Sequence, residues 1–186
     1  MAGHAKAKVR PNAADLSRLR FGIIQSEFND FITDRLLAGA LEAFDEAGVK
    51  RSQLEIVKVP GSFELPVAAK KMAQAGRFDA IVCIGCVIRG ETSHYDYVCS
   101  ETARGIQLAQ LDTGVPVGFC VLTCDTKEQA LDRAGVKDSN KGYAAGLGAI
   151  QMAELMRKYL TKPGSAAPRN AKKPAARRVR PSKRRR

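Results

Sequence analysis

Fourteen residues, Gly85-Cys86-Val87-Ile88-Arg89-Gly90-Glu91-Thr92-Ser93-His94-Tyr95-Asp96-Tyr97-Val98, bring together two glycines, a glutamate, hydroxyls and a histidine. Histidine is the side chain best suited to moving protons near neutral pH, so His94 is the candidate proton carrier. A histidine of this kind also serves as a plain structural residue, and the segment alone does not decide between the two. Two other chemistries fail on residue type. Gly85-x-x-x-x-Gly90-Glu91-Thr92 has the outline of a phosphate-binding P-loop, but Glu91 stands where the lysine must be, which excludes an NTPase. Cys83-Ile84-Gly85-Cys86 has redox or zinc spacing, yet strand residues three apart face opposite ways. No second cysteine pair follows at zinc-ribbon spacing, so no metal is expected.

The elements that must position this segment are legible on both sides. Asp79-Ala80-Ile81-Val82-Cys83-Ile84 reads as a buried parallel strand, and Val98, Thr102, Ile106 and Ala109 recur at helical spacing. The segment is therefore a strand end, a glycine-bearing loop and a helix start, the place where open α/β sheets bind ligands beside free helix amides.

Earlier in the chain, Arg20-Phe21-Gly22-Ile23-Ile24-Gln25-Ser26 predicts the first strand. Asn29 or Asp30 is placed to cap a helix whose apolar face is Ile32, Leu36, Leu37, Ala40, Leu41 and Phe44, ended by Gly48. Phe28 lies between them, either as a core aromatic or as a platform for a planar ring. Leu54-Glu55-Ile56-Val57-Lys58-Val59 is the second strand, followed by the loop Pro60-Gly61-Ser62-Phe63-Glu64 and a helix to Ala75. Ser62 and Glu64 would either cap that helix or hold a polyhydroxylated ligand. Val115-Pro116-Val117-Gly118-Phe119-Cys120-Val121-Leu122 is the fourth strand. Helical spacing returns over residues 126–134, where Arg133 could complement the helix dipole. A last helix carries Tyr143, Leu147, Ile150, Met152, Leu155 and Met156 and ends near Leu160.

This order predicts a single three-layer α/β/α domain over residues 20–160, flavodoxin-like, with a four-stranded parallel sheet. Residues 1–19 read as a flexible arm. Residues 161–186 read as a disordered basic tail, because Gly164 to Arg186 holds ten Lys or Arg and no acid. Residues 164–186 account for all but two of the +12 formal charges. So small a sheet needs its edges covered, which points to a homo-oligomer. No apolar run is long enough to span a membrane and the N-terminus lacks a secretory core. Five cysteines, mostly in apolar runs, read as reduced core thiols, and a cytoplasmic protein is expected.

Four segments together resemble one family, 6,7-dimethyl-8-ribityllumazine synthase of riboflavin biosynthesis, from about Phe21 to Leu155. They are Phe28-Asn29-Asp30-Phe31-Ile32-Thr33, Val59-Pro60-Gly61-Ser62-Phe63-Glu64-Leu65-Pro66, Ile88 through Val98, and Asn140-Lys141-Gly142. The resemblance implies a transferase that joins 5-amino-6-(D-ribitylamino)uracil to 3,4-dihydroxy-2-butanone 4-phosphate, without metal or organic cofactor, releasing phosphate and water. It implies stacking by Phe28, ribityl contacts from Ser62, Phe63 and Glu64, and pyrimidine-edge contacts from the backbone of Cys86, Val87 and Ile88. Glu91 and Thr92 fall at the phosphate position, and His94 at the proton-transfer position. Phe119 and Arg133 match residues supplied by a neighbouring subunit, the arginine gripping phosphate. Pentamers, some packed into larger shells, and riboflavin synthase as a partner are implied as well. Ser139 stands where many capsid-forming members carry glycine, and Asp132 where glutamate is common. The alternative is a non-catalytic flavin- or nucleotide-binding module of the same fold. The tail, outside the resemblance, suits non-specific binding of RNA or another polyanion, or mere solubility.

Overall fold

The computed structural model describes residues 16–160. The expectations for the N-terminal arm up to residue 15 and for the basic tail lie outside the described residues. Four strands, β1 (Phe21–Ser26), β2 (Leu54–Val59), β3 (Ala80–Ile88) and β4 (Val117–Cys124), form one parallel sheet in the order β2-β1-β3-β4. Among the described residues, five α-helices flank the sheet: α1 (Asp30–Glu46), α2 (Leu65–Gln74), α3 (His94–Thr113), α4 (Lys127–Arg133) and α5 (Lys141–Leu155). The three-layer α/β/α domain predicted from the sequence is the one observed.

Period-two alternation divides the core. Val82, Ile84 and Cys86 of β3 pack with α1, α4 and α5, while Ile81 and Cys83 pack with α2 and α3. Cys83 and Cys86 therefore do face opposite layers, as their spacing required. Phe21 and Phe44 meet at 4.9 Å between ring centroids and anchor the α1 layer.

Three boundaries differ from the sequence reading, each for a physical reason. β3 runs to Ile88 rather than Ile84, because β4 offers it a ladder partner as far as Cys124. β4 begins at Val117 because Pro116 has no N–H to donate; its carbonyl accepts from Ile81 at 2.9 Å instead. The last helix ends at Leu155 in a π-type turn, Met156–Leu160.

The buried face of that helix is also not the one its large residues suggested. Gly142, Gly146, Ala149, Ile150 and Ala153 face inward, while Met152 and Leu155 are exposed. α5 lies so close to α1 that a Cβ on Gly142 would overlap the Leu36 carbonyl, which only glycine permits. Asn140 locks this junction: its side chain accepts from the amides of Gly142 and Tyr143 and donates to the carbonyls of Arg35 and Gly135. Because Gly142 meets Leu36 and Gly146 meets Ala40, α5 runs parallel to α1. The chain thus reaches Leu160 at the sheet edge opposite the strand C-termini.

Candidate active site

Parallel order β2-β1-β3-β4 places a topological switch between β1 and β3, since the chain proceeds outward from there in both directions. Crevices at the carboxyl ends of strands flanking such a switch are where this class of sheet binds ligands. The register makes the crevice concrete. Pairing between β1 and β3 stops at Gln25 and Ile84, whereas β3 continues beside β4 alone through Cys86, Val87 and Ile88. One flank of the β3 end is thereby left open.

A cleft of about 340 Å³ occupies that flank. Its floor is β3 at Cys86, Val87 and Ile88. One wall is the turn after β2, with Gly61, Ser62, Phe63 and Glu64; the other is the start of α3, with Gly90, Thr92, His94 and Tyr95. Phe28 closes the top, 69% exposed, and Phe63 is 58% exposed. Two uncovered aromatic rings beside one cleft suit stacking on a planar heterocycle better than a core role.

The backbone explains how Phe28 comes there. Asn29 takes a left-handed conformation, φ 60° and ψ 45°, which asparagine tolerates better than other non-glycine residues. Its side chain does not cap α1, as the sequence had suggested; Nδ2 donates to the Cys86 carbonyl at 2.9 Å. The Phe28 amide meanwhile donates to the Pro60 carbonyl at 3.1 Å. The loop after β1 is thus tied both to the loop after β2 and to the end of β3.

Ser62 and Glu64 do not cap α2 through their side chains either. The Ser62 hydroxyl is buried, borders the cleft and has no hydrogen-bond partner within the described residues. An unpaired buried hydroxyl is expensive, and a ligand hydroxyl entering the cleft would satisfy it. Glu64 forms no ion pair among the described residues and adds an acceptor on the same wall.

His94 is the first residue of α3 and is exposed; its backbone N–H donates to Thr92 Oγ1 at 3.4 Å. The amides of residues 90–93 make no hydrogen bond among the described residues, so they remain available to an anion at the helix start. Burial pushes the Cys86 thiol up to about 12 and raises Cys99 and Cys124 as well, which disfavours the thiolate at each. No group of three or more metal-binding side chains occurs among the described residues.

Of the twelve site residues read from the sequence, nine line the cleft. Glu91, Phe119 and Arg133 do not. Phe119 pairs with Cys83 low on the edge strand β4, and Arg133 is exposed at the end of α4, donating to the Gln129 carbonyl at 3.0 Å. Among the described residues, one chain's cleft is accordingly lined by no lysine or arginine. The sequence reading missed the residues that hold the walls, Asn29 across to β3 and Arg89 across to β4. Their signal was in the quoted segments, but their partners are distant in sequence.

A family model of 6,7-dimethyl-8-ribityllumazine synthase matches residues 18–157. The chain belongs to this family. The lumazine synthase of Desulfatibacillum aliphaticivorans is 52% identical over 140 residues, covering 75% of this chain and 90% of that relative. That of Syntrophus aciditrophicus (strain SB) is 52% identical over 139 residues, with the same coverage. The matched span includes every cleft residue, so the activity is a transferase condensation in riboflavin biosynthesis. No described helix is long and apolar enough to cross a membrane.

Proposed function

We propose that this cleft condenses 5-amino-6-(D-ribitylamino)uracil with 3,4-dihydroxy-2-butanone 4-phosphate, and that nine of its lining residues act on them directly. The observation that carries the reading is the convergence of exposed Phe28, unpaired Ser62, the open β3 end and His94 on one crevice. Phe28 stacks on the pyrimidine, whose edge is read by backbone groups of Cys86, Val87 and Ile88. Ser62, Phe63 and Glu64 take the ribityl chain, a hydroxyl and a carboxylate being apt partners for a polyol. The phosphate lies against the amides at the start of α3, near Glu91 and Thr92, where backbone N–H groups make Glu91 harmless.

Holding the two substrates in contact supplies much of the rate, of order 7–11 kcal/mol in favourable cases. The pyrimidine's 5-amino group attacks the ketone carbon, and loss of water gives an imine. Phosphate then leaves from C4 as the proton on C3 is removed, the resulting enol ketonises, and the ribityl-bearing nitrogen closes the second ring on that new carbonyl with loss of another water. Each step moves a proton, and His94, exposed at the cleft wall, carries it; such a group adds roughly a hundred- to ten-thousandfold. The cation that the phosphate needs comes from Arg133 of a neighbouring copy, with Phe119 beside it, in a pentamer or a shell of pentamers. Riboflavin synthase, which consumes the product, is the natural partner, and the cytoplasm the natural site.

Residues 20–160 form the catalytic domain, and residues 1–19 and 161–186 are appendages. The ten cations after Pro163 bind polyanions, RNA foremost, with avidity from repeated copies. The chain approaches this tail on the edge away from the cleft, so truncation after Pro163 should spare synthesis and abolish nucleic-acid retention. Appearance of lumazine absorbance and fluorescence on mixing both substrates tests the main reading; binding without turnover would leave a flavin- or nucleotide-binding module.

A further inference from the structure

Arg89, the residue after β3, is gripped from several sides. Its backbone N–H extends the β3–β4 ladder by donating to the Cys124 carbonyl at 2.8 Å. Its guanidinium donates from Nε to Asp125 Oδ1 at 2.8 Å and from Nη1 to Asp96 Oδ1 at 3.1 Å. The same group lies over the Tyr95 ring, 4.0 Å from its centroid. Asp125 belongs to the loop after β4, while Tyr95 and Asp96 directly follow His94 in the first turn of α3. Between Arg89 and His94 the loop holds no hydrogen bond from its own amides at residues 90–93. Arg89 thus ties the helix start to the loop after β4.

We infer that Arg89 is a positioning residue for the condensation. It touches no substrate, but its contacts set the first turn of α3 against the ends of β3 and β4. In this way it decides where the His94 imidazole and the free amides meet the phosphate-bearing substrate. Single exposed ion pairs contribute little, yet a planar fork held by two carboxylates and an aromatic face fixes orientation as a lysine cannot. The inference rests on the proposed roles of His94 and those amides. The pyrimidine side is held independently, by β-ladder pairing and by Asn29 on the Cys86 carbonyl.

Arg89→Met, Arg89→Lys and Asp125→Asn in the assembled full-length chain test this. A misplacement of the helix start should lower kcat roughly ten- to a hundredfold. KM for the butanone phosphate should rise several-fold, roughly in step with weaker inhibition by inorganic phosphate, while KM for the pyrimidine stays within about twofold. Arg89→Lys should rescue only partly. Hydrogen exchange should quicken over residues 94–100, the first hydrogen-bonded turns of α3, and stay unchanged over β1. Equal KM changes for both substrates, full activity of Arg89→Lys, or unaltered exchange would overturn the inference. Should the Arg89 variants fail to fold, Asp125→Asn keeps the Asp96 and Tyr95 contacts and carries the same measurements. A parent chain that forms no lumazine would overturn the functional reading alone, since the hydrogen-exchange arm needs no turnover.

Discussion

The Ser62 hydroxyl sits 2.6 Å from the point where a Cβ on Gly85 would lie. Glycine at that place in β3 is what lets the turn after β2 fold down against the strand and bring its hydroxyl to the cleft. Leu65 Cδ1, at 3.0 Å from the same point, closes the other side. Gly85→Ala should therefore lower stability by about 1–3 kcal/mol, the usual range for overpacking. It should also weaken binding of the ribityl substrate. Adding Ser62→Gly should recover part of the melting temperature but none of the affinity; recovery of both would show that the hydroxyl is not used.

His94→Ala should reduce kcat about a hundredfold or more while leaving both KM values close to the parent's. The exposed imidazole makes no side-chain contact that the fold depends on among the described residues, so the melting temperature should not move. Stopped-flow following of lumazine formation checks this, and a fully active variant would remove His94 from the mechanism.

Neither Phe119 nor Arg133 reaches the cleft of its own chain. If neighbouring copies supply them, mixing His94→Ala with Arg133→Ala chains and reassembling should restore part of the activity. Some interfaces would then pair an intact histidine with an intact arginine. Mixtures no better than the two separate variants would place the missing cation elsewhere.

Burial holds Cys120 up at about 12 and also raises Cys83, so both remain protonated in the folded protein at mildly alkaline pH. An exposed thiol in the unfolded chain ionises near pH 8.5. Above that pH the unfolded state binds fewer protons, so stability falls as pH rises toward the folded value, by about 1.4 kcal/mol per unit for each such thiol. Thermal unfolding of the parent and of Cys120→Ala between pH 8 and 10 measures the effect. The variant should lose less; parallel curves would refute the burial argument. Alkylation of Cys120 in the folded protein should also be slow, since the thiolate is the reactive form.

Local patterning fixed a good deal. Period-two alternation placed Cys83 and Cys86 in opposite layers, Pro and Gly marked most helix and strand ends, and the residue types around His94 and Ser62 marked one sheet edge as chemical. These features depend on neighbours a few residues apart, and sequence carries such relations directly. What lay beyond it were distant partners. Asn29 looked like a helix cap until Cys86, fifty-seven residues on, offered its carbonyl. The face of α5 was set not by its largest apolar residues but by how closely α1 approaches, which selects Gly142 and Gly146. The open flank of β3 exists because β1 stops pairing at Gln25 while β4 continues, a difference in register between three strands. Close packing and register are properties of the assembled sheet and helices, so only the tertiary structure could decide them.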